Sequence, residues 1–258
     1  MIYDQKEFDV RCEWGLNGLQ ELAPISDVVI IVDVLSFSTA VDMAVSRGAF
    51  VYPYKWKDGT ASEFSRSIQA VLAEARKGSN EFSLSPKSLA GITSGTKLVL
   101  PSPNGSTLSL STGKVPTLAG CLRNADTIAL AAMTYGKRIA VVPAGERWSD
   151  GTFRPAFEDI VGAGAIISKL KLSRSPEAEI AFATYEAVKS KLAQYLMQCS
   201  SGKELISRGF GNDVTVASEL NVSKAVPTLK DSAYVNVPIR AASRKGAFKK
   251  RIQNWPVY

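Results

Sequence analysis

Residues 27–33, DVVIIVD, set five aliphatic side chains between two acids. That unbroken run reads as a strand buried on both faces. TAVDMAVSRG (39–48) then repeats apolar residues at helical spacing, with Ser38 or Thr39 placed to cap it, Arg47 in its last turn and Gly48 to end it. A strand at 49–54 and a helix over about 60–77, closed by Gly78, form the next unit. Further strands are expected at 97–101, 117–121, 138–142 and 233–239, with helices near 124–135 and over 156–172. Across 175–200, Ala181, Tyr185, Val188, Leu192 and Tyr195 recur as one buried helical stripe. Residues 78–96, rich in Ser and Gly, read as an irregular excursion, and 143–155 as a polar connection. Strands alternating with helices predict an α/β fold of three layers: a mixed, mostly parallel sheet with helices on both faces. The expected organisation is one α/β domain over 1–240, with two subdomains meeting near 140–155 left open, and a basic tail over 241–258.

Composition narrows the chemistry. The 258 residues include no histidine, which removes Ser-His-Asp and Cys-His catalysis, phosphohistidine chemistry and His-ligated zinc together. The formal charge is +7, from 31 bases and 24 acids, but Arg240, Arg244, Lys245, Lys249, Lys250 and Arg251 supply six of those bases. Without them 25 bases face 24 acids, so the body is nearly neutral. Such a tail suits nucleic acid or an acidic surface, yet short polar termini are commonly solvated, and no nucleic-acid partner is expected. Cys12, Cys121 and Cys199 form no CxxC pair, which points to reduced thiols and a cytoplasmic protein. The first residues hold no apolar leader and no stretch reaches the ~20 apolar residues of a membrane span, so neither export nor a membrane is expected.

Polar residues gather after three of the expected strands. Asp33 is followed by Ser36, Ser38 and Thr39; strand 97–101 by SPNGST (102–107); strand 138–142 by AGERWSDGTFRPAFED (144–159). Open α/β sheets bind ligands beyond their strand ends, so the three groups are read as one site. Hydroxyls and backbone amides of Asn104, Gly105 and Ser106 suit a phosphate. Glu146, Asp150, Glu158 and Asp159 are hard oxygen donors that suit Mg²⁺. Glu158 and Asp159 are adjacent, so on a helix only one of them faces the site. Rival phosphate motifs fail: there is no GxxxxGK[ST], Gly209–Phe210–Gly211 lacks a glycine at Val214, and Gly162–Ala163–Gly164 lies inside a helical pattern where close packing explains it. No cysteine has an arginine six residues on, and DVLS lacks the second acid of an aspartyl-phosphate phosphatase.

The ordered blocks VDVLSFSTA (32–40), SPNGST (102–107), AGERWSDGTFRPAFEDIVGAGAI (144–166) and GFGNDVTVASELNVSKAVPTL (209–229) resemble the 2-phosphosulfolactate phosphatase family over roughly residues 5–240. The resemblance implies a three-layer α/β, Mg²⁺-dependent phosphatase that converts 2-phospho-3-sulfolactate to 3-sulfolactate and phosphate, in coenzyme M biosynthesis. Asp33 matches the acid of the family's first block, and Ser38 and Thr39 its hydroxyls. Asn104, Gly105 and Ser106 match its NGT turn, Glu158 and Asp159 its acidic pair, and Gly209, Asp213 and Pro227 its last block. Two positions depart: Ser36 stands where the family has arginine, and SLSP (83–86) replaces GNSP. Arg147, Arg154 and Arg208 then become the candidates for the substrate's anionic groups. The expected mechanism uses Asp33 on the attacking water, with Ser36 or Ser38 as the alternative nucleophile. Another small anionic organic phosphate as substrate, or a non-catalytic phospho-metabolite binder, is the alternative function. The partner is a small phosphorylated substrate, and a homo-oligomer is left open.

Overall fold

The structure is a computed structural model and describes residues 2–55, 58–74, 76 and 82–239. The basic tail of 241–258 and Arg240 lie outside the described residues. In chain order the strands are β1 (Val10–Cys12), β2 (Val28–Val32), β3 (Phe50–Tyr54), β4 (Val71–Leu72), β5 (Lys97–Pro101), β6 (Thr117–Gly120), β7 (Ile139–Pro143), β8 (Glu146–Arg147), β9 (Phe153–Arg154), β10 (Pro227–Lys230) and β11 (Ala233–Asn236). The helices are α1 (Gly15–Leu22), α2 (Phe37–Val45), α3 (Gly59–Ser67), α4 (Gly105–Ser109), α5 (Ala125–Ala132), α6 (Phe157–Ile167), α7 (Pro176–Val188), α8 (Leu192–Gln198), α9 (Ser200–Ser207) and α10 (Gly211–Ala217).

β2 explains the layering. All five of its residues are buried, and they alternate between two cores. Val28, Ile30 and Val32 pack with α5, α6 and α7, whereas Val29 and Ile31 pack with Leu19 and Leu22 of α1 and Leu108 of α4. A third core seats α2 against β3, β5 and Tyr234 of β11. Helices therefore cover both faces of a mixed, mostly parallel sheet, as the alternation predicts.

The sheet order is β1-β7-β2-β6-β10-β11-β3-β5-β4. β1, β7, β2 and β6 are mutually parallel, as are β3, β5 and β4. The β10–β11 hairpin pairs antiparallel with β6 on one side and β3 on the other, so the two parallel blocks run in opposite senses. Five strand steps separate β2 from β5. Although the ladder directions place the ends of β2 and β5 in opposite senses, the turns that follow them meet, and the Gly105 amide donates to Asp33 Oδ2.

The structure revises several local expectations. α3 ends at Ser67, Gln69 adopts a left-handed φ of 55°, and Val71–Leu72 pair with β5. Strand pairing thus replaces the second half of the helix expected over 60–77. The 175–200 segment breaks at a 3₁₀ turn, Lys189–Lys191, between α7 and α8, and Tyr195 leaves the buried stripe to pack against Phe157. The 143–155 connection contains the β8–β9 hairpin. In the 78–96 excursion, Phe82, Leu89 and Ile92 are core residues. α2 begins at Phe37, with Ser36 at its N-cap position, so neither Ser38 nor Thr39 caps it.

Gly162 and Gly164 do serve close packing. A methyl at 164 would drive into the Ala181 carbonyl of α7, and one at 162 into Val34. Gly164→Ala is therefore expected to lose about 1–3 kcal/mol in urea unfolding. At Gly59 a methyl meets no described atom within 4 Å, and Gly59→Ala should change stability by only a few tenths of that.

Candidate active site

A cavity of about 230 Å³ opens where the two turns meet. Its lining includes Asp33, Leu35 and Ser36 after β2, Ser102, Pro103 and Asn104 after β5, Glu146 of β8, Arg76, Leu84, and Ser201, Glu204, Leu205 and Arg208 on and beside α9. Asp33 is the joint. Its Oδ1 accepts the Phe37 amide at 3.0 Å and its Oδ2 the Gly105 amide at 2.9 Å. Only glycine fits at 105, because a Cβ there would strike the Phe37 ring and lie 2.8 Å from Asp33 Oδ2.

Burial lifts the Asp33 carboxyl to about 6 against the pull of those two amides, with Glu158 adding to the rise and Arg76 opposing it. Glu146 is raised to about 8, first by burial, then by Asp33 and Glu158, while Asn104 Nδ2 donates to its Oε2 at 2.8 Å. Asp159 is also held well above its ordinary value, chiefly by burial, then by Asp33 and Glu158. Glu158 and Asp159 point apart, as adjacent helical residues must. Asp159 ties α6 to two strand ends, accepting Val34 N at 2.7 Å and Gly145 N at 2.9 Å. Glu158 turns toward α9, where the Cys199 thiol donates to Oε2 at 3.4 Å, and burial with Glu158 raises that thiol to about 12.

Several expected residues take other places. Ser38 and Thr39 are fully buried and brace the β2–α2 turn: Ser38 Oγ accepts Asp33 N and donates to Ile31 O, and Thr39 Oγ1 donates to Val34 O. Ser106 Oγ likewise donates inward, to Leu100 O, and the Gly105 amide expected to face a phosphate is spent on Asp33. Asp150 is exposed and closes its own turn by accepting Thr152 N and Oγ1, so it stands apart from the other acids. Arg147 is exposed and bonds Gly151 O. Arg154 bonds Ser201 Oγ at 3.0 Å, lies over the Trp148 ring and lines a neighbouring cavity of about 400 Å³. Arg208 lines the main cavity, paired with Glu204.

The cation that the sequence reading missed is Arg76. Its Nη2 donates to Ser36 Oγ at 2.6 Å and its Nε to Asp213 Oδ2 at 3.2 Å, and Asp213 Oδ1 accepts the Ser85 hydroxyl at 2.5 Å. A guanidinium thus reaches the very position where Ser36 departs from the family pattern. The usable signal is the run AEARKG, whose basic end equally fits the last turn of the helix expected over 60–77.

Among the described residues, no group of three acidic or cysteine side chains is arranged to hold a metal ion. Mg²⁺ seldom needs such a cage, since it is commonly held by one or two carboxylates together with waters and substrate phosphate. Glu146 and Glu158 each accept one described side-chain bond, at Oε2, and the Glu158 charge adds to the rise at Glu146, which lines the cavity while Glu158 is buried behind it. Hard oxygens, like charge and no histidine make a donor set that fits Mg²⁺ and not zinc.

Between its ordinary value of 4.5 and about 8, Glu146 binds more proton in the folded than in the unfolded chain, so its contribution to stability is lost as pH rises across that window. Glu146→Gln is therefore expected to gain on the wild-type Tm progressively from about pH 5 to about pH 8 in chelator. A constant difference would mean that Glu146 titrates as a surface acid.

The pattern of the 2-phosphosulpholactate phosphatase family matches residues 17–232. A protein of Methanothermobacter thermautotrophicus named 2-phosphosulfolactate phosphatase is 30% identical over 208 residues, covering 80% of this chain and 88% of its own. One of Thermotoga maritima, named a probable 2-phosphosulfolactate phosphatase, is 27% identical over 227 residues, covering 83% and 96%. The match spans the strand-end turns that build the cavity, and with the site geometry it shows that the chain belongs to the 2-phosphosulpholactate phosphatase family.

Proposed function

We propose that this protein is a Mg²⁺-dependent phosphatase that hydrolyses 2-phospho-3-sulfolactate to 3-sulfolactate and phosphate. The observation that carries this reading is a small cavity in which a buried acid, Asp33, is held by two amides beside the Arg76 guanidinium. The names of the relatives support the substrate, and so does the chemistry: phosphate, carboxylate and sulfonate each want forked donors or a cation. Arg76 and Arg208 offer them inside the cavity, and Arg154 reaches it through Ser201. No helix among the described residues is long and apolar enough to cross a membrane.

Asp33, raised to about 6, is ionised at neutral pH yet basic enough to take a proton from the attacking water. Its two amide bonds fix the carboxylate plane while leaving lone pairs for that water. Because Arg76 donates to Ser36 Oγ, the Ser36 hydroxyl proton is free to donate to a phosphoryl oxygen. Glu146 and Glu158 would hold Mg²⁺, which when bound supplies positive charge against the phosphoryl oxygens.

In a phosphate-release screen of 2-phosphosulfolactate, phospholactate and phosphoglycerates, turnover is expected on the first, with Mg²⁺ and not with EDTA. Release from none of them would sink the enzyme reading. Asp33→Asn should lower kcat by about 10²–10⁴, and wild-type kcat/KM should fall as pH drops through about 6. Arg76→Ala should raise KM roughly 10- to 100-fold, as expected for a lost charged hydrogen bond.

A further inference from the structure

Tyr234, fully buried on β11, touches both segments that hold Asp33. Its ring packs edge-on against Phe37, centroids 6.1 Å apart, and Phe37 supplies the amide to Asp33 Oδ1. Its hydroxyl lies 2.7 Å from Ser109 Oγ, at the far end of α4, and Ser109 Oγ lies 2.7 Å from Gly105 O. Serine has one proton, and it goes to Gly105 O, so Tyr234 donates. The chain of bonds runs Tyr234 O–H to Ser109 Oγ–H to Gly105 C=O, and the same Gly105 gives its amide to Asp33 Oδ2. α4 has five residues, too few for its own ladder to hold its direction.

We infer that Tyr234 is a positioning residue for Asp33, clamping α2 by its ring and α4 by its hydroxyl so that the two amides converge on one carboxylate. This rests on the role of Asp33 proposed above, and it makes the β10–β11 hairpin part of the catalytic apparatus although no residue of the hairpin lines the cavity. Tyr234→Phe keeps the ring contact and removes the hydroxyl, and Ser109→Ala breaks the same chain from its other end.

The experiment measures steady-state kinetics and amide hydrogen exchange on wild type, both variants and their double variant. Each single variant is expected to lose roughly tenfold in kcat with KM within about twofold, because a displaced base slows chemistry without loosening substrate. The double variant should be no slower than the worse single one, since both cut one chain. The Gly105 amide should exchange faster in each variant while that of Ala119 in β6 does not. Thr228→Val, which removes another buried hydroxyl from the same hairpin, should keep its kcat. An unchanged kcat in Tyr234→Phe and Ser109→Ala, additive losses, or a Thr228→Val loss of equal size overturns the inference. If the wild type releases no phosphate, the proposed reaction fails instead, and exchange at Gly105 alone decides: unchanged protection overturns the clamp, and faster exchange in both variants upholds it.

Discussion

A carboxylate removed from water needs donors, and Asp33 finds its two amides on separate helices whose strands belong to oppositely directed halves of the sheet. Two peptide N–H groups from distant segments can meet on one acid only if both turns are fixed to within a few tenths of an ångström. The rest of the arrangement follows from that demand. Gly105 has no side chain because Phe37 occupies its space, Ser38 locks the strand end, and Asp159 ties β2 to the turn after β7. The hydroxyls around Asp33 brace the frame, and the frame presents the acid.

Electrostatically the cleft is a deliberate imbalance. Burial first, then the charge of neighbouring acids with Glu158 among them, holds Asp33, Glu146 and Asp159 above their ordinary values, while Arg76 opposes the rise at Asp33 and Arg154 that at Glu146. Groups of one sign held together in low dielectric favour either a proton or a cation among them. The arginines in and beside the cleft are themselves tethered: Arg76 by Asp213, Arg208 by Glu204 and Arg154 by Ser201 and Trp148. Tethering costs little reach and keeps the guanidinium planes oriented before a ligand arrives.

β2 and Asp33 were legible because five aliphatic residues in a row have one stable place in an α/β sheet, and the acid must emerge at its end. Asn104–Gly105 was legible for the same reason. What a sequence conceals is direction. Ser38 and Ser106 carry the right oxygen but aim it at strand carbonyls, and Asp150 prefers the Thr152 two residues on. Arg76 was hidden by a helix-like apolar spacing that Val71 and Leu72 resolve by pairing with β5, a contact no local pattern reports. The opposite sense of the two halves is hidden as well, since Pro227–Lys230 holds a single aliphatic residue, Leu229, and shows no strand pattern, so neither β10 nor its antiparallel pairing is visible in the sequence.

The hairpin that joins those halves is formed by residues 227–236, after every other strand of the sheet. Until the ribosome has released it, β6 and β3 each face an empty neighbour position, and a nascent chain carries two half-sheets with bare edges. Val51 must wait for Tyr234 across most of the polypeptide, so closure is a late, non-local event of the kind that folds slowly. The turns after β2 and β5 belong to the two halves that the hairpin joins, so a chain interrupted before it would hold every residue that lines the cavity and lack the strands that bring those halves into one sheet.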